Sequence, residues 1–420
     1  MSPSYLALAS SVHSYSYLSS VRSLATFAES PSYPSSASSS SSFSRVSCAG
    51  ESPVSGDLNF VLHRALDSSG VATVHAREAR QGFLKQIQNL TSVERETSIA
   101  INRRVDLATA ALFIAAEDDA LLSHSSVPLP VDAFVDRLYD LVISYMRSYS
   151  SSLKSSPEKF LKCIETFMYV DKAFHRTDVD PSDLRPLYLH SVLTHRMGSA
   201  VMLSLIYTEI LKTLRSWSLL DFDVEIYFPH DRLSVPRGYH KQKSKESDQS
   251  HIITVQGFLE ETLKSLKCVF WPFQHDPRKS LFLRAAEAAT YDSPSNSTAE
   301  SGSQLAAAKA ARHRLQRGVW TNIRFGDMRC ALSACERLIL LETDPKELRD
   351  YSVLLYHCGF YKESLQYLQL YRESEDVTKT AEKEAEDNLM VRLKLISMED
   401  GWSSASSYRN NSLSDNSEPW

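Results

Sequence analysis

Two groups of residues in this chain have the types that covalent or metal chemistry needs: hydroxyls at a helix start, and histidines further along. Ser199 follows Gly198 directly, and Ser204 lies five residues on. A serine hydroxyl becomes a useful nucleophile only beside a base. His230, His240, His251 and His275 fall within 46 residues of sequence, and His230 and His251 are the candidates for that base. Without a base, Ser199 is an N-cap whose hydroxyl accepts from free backbone N–H groups, contributing ~1 kcal/mol. Ser204 would then bond back to a carbonyl one turn earlier. The same four histidines could ligate a metal, but none shows the i, i+4 spacing of a helical pair, and no Cys or Glu spacing joins them. No metal site and no cofactor is expected. The cysteines are Cys48, Cys163, Cys268, Cys330, Cys335 and Cys358, with no CxxC pair and none between Cys163 and Cys268. They read as reduced, mostly buried thiols.

The elements that must position these groups are mostly helical. Leu203, Ile206, Tyr207, Ile210, Leu211 and Leu214 recur at helical spacing, so 199–215 is the clearest core helix. Upstream, Thr91-Ser92-Val93-Glu94 has the form of a capping box. It predicts one helix carrying Ile99, Ile101, Val105, Leu107, Ala108, Ala111, Leu112 and Ile114. Val131–Ser148 repeats the pattern with Phe134, Leu138, Leu141, Val142 and Tyr145. Pro157 suits the first turn of a further helix that buries Phe160, Leu161, Ile164 and Phe167. Downstream of the core helix, Phe222–Phe228 alternates as a strand, and β-branched His251–Val255 predicts its partner. Between them, 231–250 has almost no core residue and reads as a long surface loop.

The ends differ from the middle. Twenty of the first fifty residues are Ser, Glu29 is the only acid there, and Arg22 and Arg45 are the only Lys or Arg. This describes an organelle transit peptide over 1–48, of the chloroplast rather than the mitochondrial kind, with a cleavage site near Val46-Ser47-Cys48-Ala49. A net charge of −5 argues against a nucleic-acid binder, which needs a basic face for phosphates. No apolar run approaches the roughly 20 residues of a membrane span. A polar linker is expected at 293–303, and 402–420 reads as an unstructured tail.

The C-terminal part repeats. Gly326-Asp327-Met328-Arg329-Cys330-Ala331-Leu332 is followed 33 residues later by Gly359-Phe360-Tyr361-Lys362-Glu363-Ser364-Leu365. Cys335, Leu338 and Asp344-Pro345 follow the first copy, and Leu368 and Tyr371 the second. A period near 34 with Gly at the turn resembles tetratricopeptide repeats over 304–397. Two such repeats rarely bury enough surface alone, so 378–397 is expected to cap them.

In order along the chain, these features resemble the SirB-one-like family, a transglutaminase-like core followed by tetratricopeptide repeats. The resemblance runs from about Val105 to Leu395. It rests on 106–115, on Phe174-His175-Arg176, on Leu187–Val192, on His195-Arg196-Met197-Gly198 leading into 199–207, on Trp271-Pro272-Phe273, and on 338–370. It implies an α+β, mostly helical fold: a degenerate transglutaminase-like core at 57–290, helices with a small antiparallel sheet, then the repeats. It also implies a triad of Cys at a helix start, then His and Asp on strands. Here the helix start offers Ser199, Ala200 and Val201, the acid position holds Trp271, and the His is either His230 or His251. The Ser-rich leader points to a plant chloroplast branch in the stroma.

Three functions compete. One is a non-catalytic plastid protein with a pseudoenzyme core, whose repeats contact an unidentified protein partner. The second is an acyl-transfer or amide-hydrolysing enzyme using Ser199 with His230 or His251. The third is a structural module in which both parts form one rigid body. The concave face of the repeats either holds a peptide or packs on the N-terminal part.

Overall fold

The structure is a computed structural model. It describes residues 59–420 apart from 124–126, 179–182, 230, 232–233, 244–250, 274–277, 292–312, 314, 316–325, 375–380 and 412–420. The expected transit segment at 1–48 and linker at 293–303 lie outside the described residues, as do His230 and His275.

The first helices are α1 (Leu62–Ser68), α2 (Val74–Ile87), α3 (Ser92–Glu96) and α4 (Leu107–Ser123). Thr91 caps α3 as its motif predicts, its hydroxyl accepting from the Glu94 N–H at 3.3 Å. That helix is only five residues long, however. The single helix expected from Thr91 to Ile114 is broken because 97–99 leaves to pair with a distant segment. Ile99 N–H donates to the Ile253 carbonyl and Val255 N–H to the Thr97 carbonyl. Buried Asn102 then closes a turn by donating to the Val105 carbonyl at 2.7 Å. Asp106 starts α4 afresh, accepting from the Thr109 N–H at 3.1 Å. Helix α4 is buried almost all round, including Glu117 and Asp118.

Next come α5 (Val131–Tyr149), α6 (Pro157–Thr166), β1 (His175–Arg176), α7 (Leu189–His195), β2 (Met197–Gly198) and α8 (Ala200–Ser216). The stripe expected on α5 is buried at Leu138, Leu141, Val142 and Tyr145. Pro157 opens α6, where its missing N–H has no helical partner to lose. Strands β1 and β2 form a short parallel pair, His175 opposite Met197 and Arg176 opposite Gly198.

Beyond α8 lie β3 (Val224–Tyr227), β4 (Arg237–His240), α9 (Val255–Phe270) and α10 (Leu281–Tyr291). The fold is mostly helical with a small antiparallel sheet, as the sequence implies. The partner of β3 is β4, which comes from the segment read as a surface loop. The expected strand at 251–255 reduces to single bridges, Ile252 to Tyr227 and Thr254 to Ser98. Thr254 instead caps α9, accepting from the Gly257 N–H at 3.0 Å.

The last helices are α11 (Met328–Leu340), α12 (Lys346–His357), α13 (Tyr361–Ser374) and α14 (Ala381–Asn411), with α11 packed on α9 and each of the others on the one before it. Gly326 and Gly359 sit at the two corresponding turns with φ of +79°, which favours Gly. At Gly326 a Cβ would also lie 2.6 Å from the carbonyl oxygens of Phe270 and Trp271, so the end of α9 meets the start of α11 without room for a side chain. Helix α14 continues past Ser397 into the segment read as an unstructured tail. The described residues form one compact unit.

That unit is joined by buried ion pairs. Arg80 on α2 holds Glu117 with both arms of its guanidinium, at 2.8 and 2.6 Å, and reaches Glu336 on α11 at 2.9 Å. Arg337 on α11 meets Asp118 at 2.7 Å. Ser333 donates to Glu117 at 2.8 Å, Tyr351 to Glu336 at 2.7 Å, and Tyr188 to Asp118 at 2.9 Å. Burial alone would raise the Glu117 carboxyl, but the adjacent Arg80 and Arg337 override it and hold the group well below the carboxylate range. A second buried cluster has Lys267 on α9 donating to Glu347 at 2.6 Å and Asp350 at 3.0 Å, both on α12. Arg349 extends it to Glu382 and Glu386 on α14, with its guanidinium 4.4 Å from the Phe282 ring of α10.

Candidate functional site

Of the residues singled out by sequence, Ser199 and Ser204 lie at the start of α8. Arg196 closes α7 in the left-handed region, with φ of +65°. The chain then runs through β2, where the Thr177 N–H donates to the Gly198 carbonyl at 3.0 Å. Ser199 is tied to Pro186 by its own N–H at 2.9 Å. Its hydroxyl accepts from the Met202 N–H at 3.3 Å, which is the capping bond expected of it. Ser204 is fully buried and donates to the Ala200 carbonyl at 2.8 Å.

A cleft of about 120 Å³ opens over this helix start. Its polar wall is Arg176, Thr177 and Asp178 from β1 onward, Ser199, and Glu261, Thr262 and Ser265 from α9. Phe228 and Met202 are among its apolar contributors. Arg176 is engaged with the chain, donating to the carbonyls of Asp231 at 2.6 Å and Ser234 at 2.5 Å. Thr262 likewise donates to the Phe258 carbonyl at 2.8 Å. Neither a cysteine nor a histidine lines this cleft among the described residues.

His251 lies nearby, its carbonyl accepting from the Phe228 N–H at 2.7 Å. Its ring stacks on Tyr227 with centroids 4.7 Å apart. His251 is not among the described residues that line the cleft. No hydrogen bond joins Ser199 to a histidine among the described residues. His240 is on β4 opposite Val224, with its ring against Phe222.

The other expected positions are far from chemistry. Trp271 is fully buried where α9 meets α11. Cys330 and Cys335 are buried on α11, and burial pushes both thiols far up, so they stay protonated. No three His, Cys, Asp or Glu side chains gather in a metal-holding group among the described residues. No described helix is long and apolar enough to cross a membrane.

Helices α5 through α8, with the helix start and the short parallel pair, carry the family signal. Residues 131–216 match the transglutaminase-like superfamily. The chain therefore contains a transglutaminase-like domain, and its helix α8 begins with Ser199 where the cleft is. No curated protein and no solved structure matches the chain.

Sequence reading did not anticipate Arg176, Asp178 and Glu261 in the cleft, nor the buried network around Glu117. A signal for the network was present: Glu117-Asp118 interrupts an otherwise apolar helix, and buried carboxylates require partners.

Proposed function

We propose that this protein is a non-catalytic member of the transglutaminase-like superfamily, of the SirB-one-like kind, in which the domain serves as a scaffold. The observation that carries this is the start of α8. The hydroxyl at the helix terminus, Ser199, is engaged as a cap, and among the described residues the cleft above it is lined by carboxylates and an engaged guanidinium and by no imidazole. Ser199 has no hydrogen bond to a histidine among the described residues, so its hydroxyl lacks the paired imidazole that activates a serine nucleophile.

The scaffold reading extends to the C-terminal helices, which we take as tetratricopeptide-type repeats. Helices α11 and α12 are almost wholly buried, and their charges pair with α2, α4 and α9. This favours the rigid-body arrangement and leaves α13 and α14 as the faces for a protein partner. The Ser-rich leader supports delivery to the chloroplast stroma.

The decisive test exposes the purified full chain to glutamine–amine cross-linking, peptidase and ester substrates, and to serine-directed acylating probes. No turnover and no label at Ser199 are expected. Stoichiometric labelling of Ser199 that disappears in His251→Ala or His230→Ala would establish the acyl-transfer enzyme instead.

A further inference from the structure

A second cleft, of about 280 Å³, lies between α5 and α7 and shares no lining residue with the first. Arg137, Lys172 and Arg196 converge on it, with Asp140 as the one acid in its wall. None of these three cations forms an ion pair among the described residues. Each is instead held over an aromatic ring. Arg137 is 5.4 Å from the Phe134 centroid, Lys172 is 5.3 Å from that of Phe167, and Arg196 is 4.7 Å from that of Phe174. Arg137 also donates to the Thr194 hydroxyl at 2.9 Å, which fixes its fork towards α7. The rings orient the cations without neutralising them.

The backbone adds an independent observation. Arg196 has φ of +65°, and Ala173, next to Lys172, has φ of +54°. A side chain in this region is strained, and Gly or Asn would relieve it. The strain is held in place at Arg196 from both sides, its N–H donating to the Val192 carbonyl and its carbonyl accepting from the His175 N–H, each at 2.9 Å. Arg196 is thus kept in an unfavourable conformation and partly desolvated beside Arg137. Burial and that like charge both pull its pKa below its ordinary value. The like charges of Arg137 and Arg196 raise the energy of the empty cleft, and an anion between them offsets that repulsion.

We propose that this cleft binds a phosphate group carried by a small molecule. The charge balance selects the class. Three cations less Asp140 leave two positive charges, which match a phosphate dianion and exceed a single carboxylate. Two guanidinium forks suit tetrahedral oxyanion geometry, with Lys172 as a point charge. The volume leaves room for an organic part beside the phosphate.

The test is titration of the full chain with pyrophosphate and inorganic phosphate, with acetate as a monocarboxylate control, followed by calorimetry. Saturable pyrophosphate binding that weakens as salt rises is expected, with acetate inert. Arg196→Gly should weaken it by about tenfold or more, the usual scale for a charge-assisted hydrogen bond. The same variant should unfold no earlier than the parent, because Gly is at ease at this φ. Loss of binding therefore cannot be ascribed to unfolding. Lys172→Met should weaken binding independently. Absence of saturable binding at millimolar pyrophosphate, equal binding of acetate, or affinity unchanged in both variants would each overturn the assignment.

Discussion

The cleft at the start of α8 and the joint between α4 and α11 contain similar side-chain chemistry used in opposite ways. In the cleft, polar groups bind the nearest backbone: buried Ser199 its own helix, half-buried Arg176 two carbonyls of a neighbouring segment. At the joint, Arg80, Arg337, Glu117, Asp118 and Glu336 are withdrawn from water and satisfy one another across more than two hundred residues of sequence. A group that only caps a helix can be replaced at modest cost. A charge buried with its partners cannot lose one of them without leaving the others stranded. Among the described residues, the polar groups of the internal joint are more tightly constrained than those of the cleft at the start of α8.

The largest effect is expected from removing the centre of the joint. Glu117→Ala leaves Arg80 and Arg337 short of their shared carboxylate, and a loss of about 3–5 kcal/mol is expected by denaturant titration. A double-mutant cycle with Arg80→Met should show strong coupling, because the two side chains share a bidentate contact. An unfolding midpoint within error of the parent would show that the joint does not hold the unit together.

Acid should separate the joint from the buried imidazole of His190 on α7 by pH window. Burial, and then the charge of His195, push His190 down to about 4. The unfolded value is about 6.5, so His190 contributes stability above that pH and loses it as the pH falls towards 4. Glu117 is also depressed, by Arg80 and Arg337 working against its burial, and it faces Glu336, Asp118 and His63 as well. Its contribution is complete above the unfolded carboxylate value of about 4.3 and declines only below it. Stability measured against pH should therefore fall in two stages. His190→Gln should remove the upper stage and leave the lower one.

The smallest effect belongs to the cleft. Ser199→Ala should lower stability by ~1 kcal/mol, the value of one cap, and Ser199→Asp should restore most of it because a carboxylate also accepts from the helix N–H groups. A loss several times larger in Ser199→Ala, or failure of Asp to rescue, would mean that the hydroxyl does more than cap.

The features readable from sequence alone were those set by neighbours along the chain. The apolar stripes of α5, α6 and α8, the caps at Thr91 and Ser199, Pro157 at a helix start, and Gly326 and Gly359 at matching turns all follow from local periodicity and backbone sterics. Tertiary structure decided the rest. The helix expected to run on from Thr91 ends because 97–99 finds partners beside α9, and β3 pairs with β4 in place of 251–255, since strand pairing is chosen by which edge is near in space. Sequence showed Glu117 and Asp118 as two acids in an apolar helix. Only folding brought Arg80 and Arg337 to them, because burial of a charge is permitted or forbidden by groups that lie far away in the chain.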